Sequence, residues 1–189
     1  MNFKNFNILF LIVSFIFMGT FNSYADLNGE NWQHVCGKED KNNCLIGVRN
    51  YFENQETGKK QKLATAYILI GTSSKKKLNL VDKEEQTYKL GELKTSVPIL
   101  FVDLPLNVDL RQNPLVIADG KNIGNITFMH CNQSIGCKSN LALNSNAVKL
   151  FKKSNELSIF VKIFGQRESY EIKFPLKGFT KSYEKLSKK

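Results

Sequence analysis

Residues 157 to 174 read LSIFVKIFGQRESYEIKF. Leu157, Ile159, Val161 and Ile163 recur at every second position, with Ser158, Phe160, Lys162 and Phe164 between them. Successive side chains of an extended chain point to opposite faces, so this spacing predicts a strand with one continuous apolar face. A polar stretch from Gly165 to Glu168 follows, after which Tyr170, Ile172 and Phe174 alternate with Glu171 and Lys173. Two alternating runs around a short polar loop predict an antiparallel hairpin.

Further strands are expected upstream, over Leu45 to Phe52, Leu63 to Ile70, Val97 to Val102 and Ile126 to Cys131, with shorter ones over Leu78 to Val81 and Leu115 to Ile117. The run from Ala64 to Ile70 is apolar on both sides, which suits a strand inside a sheet rather than at its edge. Gly71 to Lys77, with three consecutive lysines, reads as a solvated turn. One helix is expected from Ser145 to Lys153. Ala147, Val148, Leu150 and Phe151 share a face, Asn144 or Ser145 can cap the start, and Lys152-Lys153 suits the negative end of the helix dipole. A second opens at Thr180 after the Lys177-Gly178 turn and carries Tyr183 and Leu186 inward. The fold class is therefore all-β, an antiparallel β-sandwich or partly open barrel with one or two short helices. A membrane barrel would need aromatic girdles and an uncharged lipid face on each strand, which these Lys-bearing strands lack.

The amino terminus carries Lys4, then an almost uncharged apolar run from Ile8 to Phe17, then Ser23-Tyr24-Ala25 before Asp26. A basic start, an apolar centre of about ten residues and small residues at the exit are the order of a secretory signal peptide. Residues 1–25 are the expected leader, and 26–189 the expected single domain of a periplasmic or secreted protein. A transmembrane anchor fits less well, because Asn5, Asn7 and Ser14 interrupt the longer run and no second apolar run of that length follows. A lipoprotein would need cysteine where Asp26 stands.

Cys36, Cys44, Cys131 and Cys137 all lie beyond the leader. An even count in an exported chain reads first as disulfides, with three connectivities available. Neither spacing is the C-x-x-C of a redox or zinc motif. Local pairing, Cys36 with Cys44 and Cys131 with Cys137, is the expectation because each pair brackets a polar, turn-like insert; long-range pairing remains open. A four-ligand site drawn from His34, Cys36, His130 and Cys131 would need reduced thiols outside the cytosol, so no metal and no cofactor is expected.

The formal net charge is +10, and +9 once residues 1 to 25 with their single lysine are set aside. Only Arg49, Arg111 and Arg167 are arginine. Nucleic-acid readers favour arginine forks, so a nucleic-acid partner is not expected. Weak association with anionic lipid or polysaccharide surfaces is compatible with the charge. The chain has two histidines and none of the H-E-x-x-H, G-x-S-x-G, P-loop or G-x-G-x-x-G motifs. Glu39-Asp40 and Glu84-Glu85 read as solvated turns. Asp109 and Arg111, between apolar residues, are the candidate ion pair or ligand site: on a strand they would share a face, and a structural salt bridge is the favoured reading. Trp32, four residues before Cys36, is expected to pack on a disulfide.

Three stretches carry a family likeness: LPLNVDLRQNPLVIADGK (104 to 121), ITFMHCNQSIGCKSNLALNSNAVKLFKKSNELSIFV (126 to 161) and YEIKFPLKGFTKSYEKL (170 to 186). They resemble the invasion-associated locus B family of exported bacterial proteins, and Trp32, Cys36 and Cys44 resemble its amino-terminal half. The matching elements are Leu104-Pro105-Leu106 with Asp109-Leu110-Arg111, Cys131 with Gly136-Cys137, the small helix, and Leu176-x-Gly178-Phe179 with Tyr183. The family usually has glycine after the first Pro-Leu, where this chain has Asn107, so a different backbone turn is expected there. The resemblance implies a periplasmic or secreted β-rich protein, associated in some pathogens with host-cell entry, with no established enzyme chemistry. The expected function is a non-enzymatic envelope or surface protein acting through an envelope or host-surface partner. The rival is a ligand-binding or hydrolytic sandwich with a pocket near Asp109 and Arg111.

Overall fold

The computed structural model describes residue 27 and residues 30–37, 43–74, 94–133 and 136–188. The leader, the short strand expected over Leu78 to Val81 and the acidic pairs Glu39-Asp40 and Glu84-Glu85 lie outside them. The described strands are β1 (Gln33–Cys36), β2 (Cys44–Glu53), β3 (Lys60–Ser74), β4 (Lys94–Leu104), β5 (Leu115–Ala118), β6 (Lys121–Asn125), β7 (Thr127–Asn132), β8 (Gly136–Ala142), β9 (Glu156–Lys162) and β10 (Ser169–Pro175). They form two antiparallel sheets, ordered β1-β2-β3-β4-β8-β7 and β10-β9-β5-β6. The sheets face each other across a shared apolar core as a sandwich rather than a closed barrel.

The expected hairpin is β9 and β10, paired from Ser169↔Lys162 to Pro175↔Glu156. Leu157, Ile159, Val161, Ile172 and Phe174 are fully buried, whereas Tyr170 stays exposed. Across the core, Ile46, Val48, Ala66, Ile68, Leu100 and Val102 supply the inner face of the larger sheet. Withdrawing each large aliphatic side chain from water favours folding by ~1.5–3 kcal/mol. Strand β3 is central, as its two apolar faces predict, with β2 and β4 as its neighbours.

Three local expectations change. Gly71 to Ser74 continue β3 instead of turning, paired with Val97 to Lys94. The strand expected over Ile126 to Cys131 is the junction of two: β6 closes the smaller sheet, Ile126 is fully buried at the corner, and β7 begins the edge of the larger one. Ile126 N–H donates to the Pro114 carbonyl (2.9 Å), so the chain crosses between layers with that buried donor satisfied. The third change is three strands absent from the sequence reading, β1, β6 and β8, the last of which lies between β4 and β7.

Helix α1 (Ser145–Lys153) has the expected bounds. The Asn144 side chain accepts from Ala147 N–H at 2.8 Å, and Ala147, Val148 and Phe151 face the core. Helix α2 (Phe179–Ser187) starts one residue before the expected Thr180. Trp32 is buried in the same core cluster as Cys44, with Cys36 packed against it; its ring meets Phe179 edge-on at 5.1 Å, and Phe179 meets Phe151 edge-on at 5.5 Å. The Trp32 backbone fixes the same place, donating to Lys177 O and accepting from Ser182 Oγ. Gly178, at φ +84°, leads into α2 so close to Trp32 that an added Cβ would lie 2.9 Å from the Trp32 carbonyl oxygen. That close approach explains the Gly178-Phe179 pair in the carboxy-terminal motif. Among the described residues no helix is long and apolar enough to cross a membrane.

Candidate functional site

Strand β4 delivers the chain from the larger sheet at Leu104, and β5 takes it into the smaller one at Leu115. The connection is anchored at Val108, which bridges to Ile163, and by two backbone bonds, Asp109 N–H to Lys162 O (2.7 Å) and Phe164 N–H to Asn107 O (2.8 Å). Asp109 and Arg111 form the expected pair, but on a turn rather than along one face of a strand. The Asp109 carboxylate accepts from Arg111 N–H at 3.1 Å, from Nε at 2.8 Å and from Nη2 at 2.7 Å. An aspartate that accepts from the backbone two residues on stabilises a local turn, and a forked contact then fixes the guanidinium plane. Asp109 is 4% exposed, while the Arg111 side chain is 76% exposed. The Arg111 side chain, then its backbone N–H, hold the Asp109 carboxyl at about 2, well below the ordinary 3.8.

The held guanidinium sits 5.6 Å from the Phe164 ring centroid. Phe164 is itself 69% exposed, and Leu106 and Leu110 on the same connection are also half open to water. A fixed cation therefore stands among three exposed apolar side chains, with the neighbouring acid occupied in holding it. Tyr, Trp and Arg are enriched at interface hot spots, and clustered exposed apolar groups mark contact surfaces. Beside it lies a half-open pocket of about 300 Å³ lined by Gln112, Asn113, Leu115, Phe160, Lys162 and Ser169. Sequence reasoning located Asp109 and Arg111 but missed Leu106, Leu110 and Phe164. The available signal was Phe164 itself, a large apolar residue on the outward phase of the expected strand, which the structure places in the turn after β9.

The cysteines pair locally, Cys36 with Cys44 and Cys131 with Cys137, each between residues directly opposed in an antiparallel pair. The first fastens β1 to β2 and the second β7 to β8, so each edge strand of the larger sheet is crosslinked to its neighbour. This separates the members of the drawn four-ligand metal site to opposite sheet edges. His34 Nε2 does lie 3.9 Å from Cys36 Sγ, with Cys44 close by, but both sulfurs are joined to each other. His130 is exposed on β7.

Gly136 explains why two motif blocks occur together. It has φ +86°, and a Cβ there would sit 2.1 Å from the Leu104 carbonyl oxygen. The Gly136-Cys137 pair thus packs directly beneath the Leu104-Pro105 entry to the Asp109 turn. Asn107, where the family usually has glycine, does not have a positive φ, so this turn has no need of glycine there. On the outer face of the larger sheet Lys138 bonds to the Tyr67 hydroxyl and to Asp103 (2.9 Å), joining β3, β4 and β8. Burial opposes the Lys138 charge, but these two partners outweigh it and raise its pKa above the ordinary value.

Two facing antiparallel sheets with both edges of the larger one crosslinked through sulfur define a disulfide-stapled β-sandwich protein, suited to an oxidising compartment. The family model described as invasion associated locus B (IalB) protein matches residues 32–187, and the chain belongs to that family. Among solved structures, invasion associated protein b from Bartonella henselae is similar with a TM-score of 0.59, at 14% sequence identity, over 83% of this chain and 92% of that one. At that identity the likeness shows a shared fold. No curated protein matches the sequence.

Proposed function

We propose that this is an exported, non-enzymatic envelope or surface protein that acts by binding another protein through the Leu106, Leu110, Arg111 and Phe164 surface. The observation that carries the reading is the Asp109 clamp. A buried carboxylate fixes an exposed guanidinium over an exposed aromatic ring, so the contact groups are ordered before any partner arrives. Preordering reduces the entropy lost on association. Residues 1–25 act as a leader removed after Ala25, 26–189 fold as one domain, and the disulfides support a periplasmic or secreted location.

The test compares natively exported protein with Leu110→Asp and Phe164→Asp variants as bait in envelope extracts, with circular dichroism to verify the fold. A partner held by the native protein and reduced tenfold or more by both substitutions is the expected outcome. Equal recovery on folded variants refutes the surface assignment. The ligand-carrying reading has its own support in the 300 Å³ cavity beside Arg111. It requires small-molecule binding that Lys162→Ala abolishes while protein capture persists.

A further inference from the structure

A second concavity lies at the other end of β4. It is an open groove of about 430 Å³, floored by Val97, Pro98, Leu143 and Val148 and rimmed by Lys149, Lys152 and Tyr183. Its volume falls inside the ~300–1,000 Å³ of small-molecule sites. Pro98 and Leu104 are six residues apart on one strand, which places the groove roughly 20 Å from the Asp109 turn.

The construction follows from the fold. Leu143 N–H donates to the Pro98 carbonyl (2.8 Å), closing the floor where β8 hands over to the capped start of α1. Lys149 and Lys152, three apart on α1, line the groove together with Val148, four before Lys152, so an apolar and two basic side chains border the same opening. The Lys152 ammonium is positioned 5.3 Å from the Tyr183 ring centroid, and Thr180 on α2 donates to the Lys152 carbonyl (3.3 Å). Tyr183 also lines the groove, and burial raises the pKa of its phenol. No acidic side chain lines the groove among the described residues. An apolar floor beneath two cations and a phenol is complementary to one chemistry, a hydrocarbon chain ending in a carboxylate.

We propose that the groove between β4, α1 and α2 binds a single-chain amphipathic carboxylate of the fatty-acid class, with the chain on Val97, Pro98, Leu143 and Val148 and the head group at Lys149 and Lys152. This goes beyond the protein-binding surface and is independent of it.

The test titrates sodium decanoate, below its micelle concentration, into the natively exported protein, followed by calorimetry and amide chemical shifts. Saturable one-site binding is expected, with shifts confined to the Ser96–Pro98 segment, Leu143, α1 and α2. The doubly substituted Lys149→Glu, Lys152→Glu protein should bind at least tenfold more weakly, and Ser145→Trp, which fills the rim from an exposed position, should bind tenfold more weakly or worse. Neutral decanol should bind the native protein at least tenfold more weakly than decanoate, and this preference should vanish in the double variant. Phe164→Asp should leave decanoate affinity unchanged, which separates this site from the protein-binding surface. Non-saturable uptake, or equal affinity in the native and double-Glu proteins, overturns the proposal. So does capture of a peptide carboxy terminus without capture of decanoate.

Discussion

Asp109 shows how one residue can matter more for position than for stability. Its partner Arg111 is largely in water, and such pairs contribute little to folding free energy. The carboxyl titrates at about 2 when folded against an ordinary 3.8, so folding favours its ionised form. That stabilisation is complete above the ordinary value and drains away as pH falls through 3.8 toward 2. Asp109→Asn retains an oxygen for the Arg111 backbone N–H but removes the charge. Its melting temperature should lie roughly 1–3 °C below that of the native protein near neutral pH, with the gap closing as pH drops to about 2. Thermal melts across that range check it; a gap of constant size down to the acid limit would mean that the charge pair contributes nothing. The pairing was legible because positions two apart were read as neighbours. Its turn geometry was not, because two-residue spacing brings side chains together both along a strand and around an aspartate-capped turn.

At the scale of elements, α1 illustrates consistency between local signals. Cap, apolar face and terminal lysines all agree, and the observed bounds are the expected ones. Asn144→Ala removes the side-chain acceptor for Ala147 N–H and should cost ~1 kcal/mol. Urea denaturation gives the value, and a change near zero would show that the cap does not hold the helix. The β9–β10 hairpin was equally legible, because its most deeply buried positions, Leu157, Ile159, Val161, Ile172 and Phe174, are all aliphatic or aromatic. Strand β8 was hidden by its composition. Its inward positions include Ser139, fully buried, whose hydroxyl donates to the Val102 carbonyl at 3.0 Å and so occupies a core position without an apolar signature. The β5–β6 hairpin carried a sign that went unused: Asp119-Gly120, with φ of 42° and 76°, between Ile117-Ala118 and Ile123. That dipeptide suits the tight turn because both residues tolerate positive φ. Strand β1 is only four residues long, too short for alternation to register.

For the whole molecule, the disulfides stand where an antiparallel sheet is weakest. An edge strand pairs on one side only and frays or recruits foreign strands more readily than an internal one. Both edges of the larger sheet, β1 and β7, are fastened at a cross-strand position. Sequence separations of 8 and 6 close small loops, for which the chain-entropy account assigns roughly 2.5 kcal/mol each. The two links are centred four inter-strand spacings apart in the sheet order, about 19 Å, so they share no neighbours and their effects should add to within ~0.5 kcal/mol. Replacing Cys36 and Cys44 by serine, or Cys131 and Cys137, should lower unfolding free energy by ~2–3 kcal/mol, and replacing all four by ~5 kcal/mol, a large part of the stability of an ordinary domain. The second pair carries an additional local consequence, because Cys137 follows Gly136 beneath Leu104 and the Asp109 turn. Opening it should loosen the Arg111 surface and weaken partner capture, whereas opening Cys36–Cys44, at the far edge of the sheet, should lower stability while leaving capture by the folded fraction unchanged. Denaturant melts and capture measurements on the two double variants decide this. Equal losses of capture at matched folded fraction would show that the crosslinks act only through global stability.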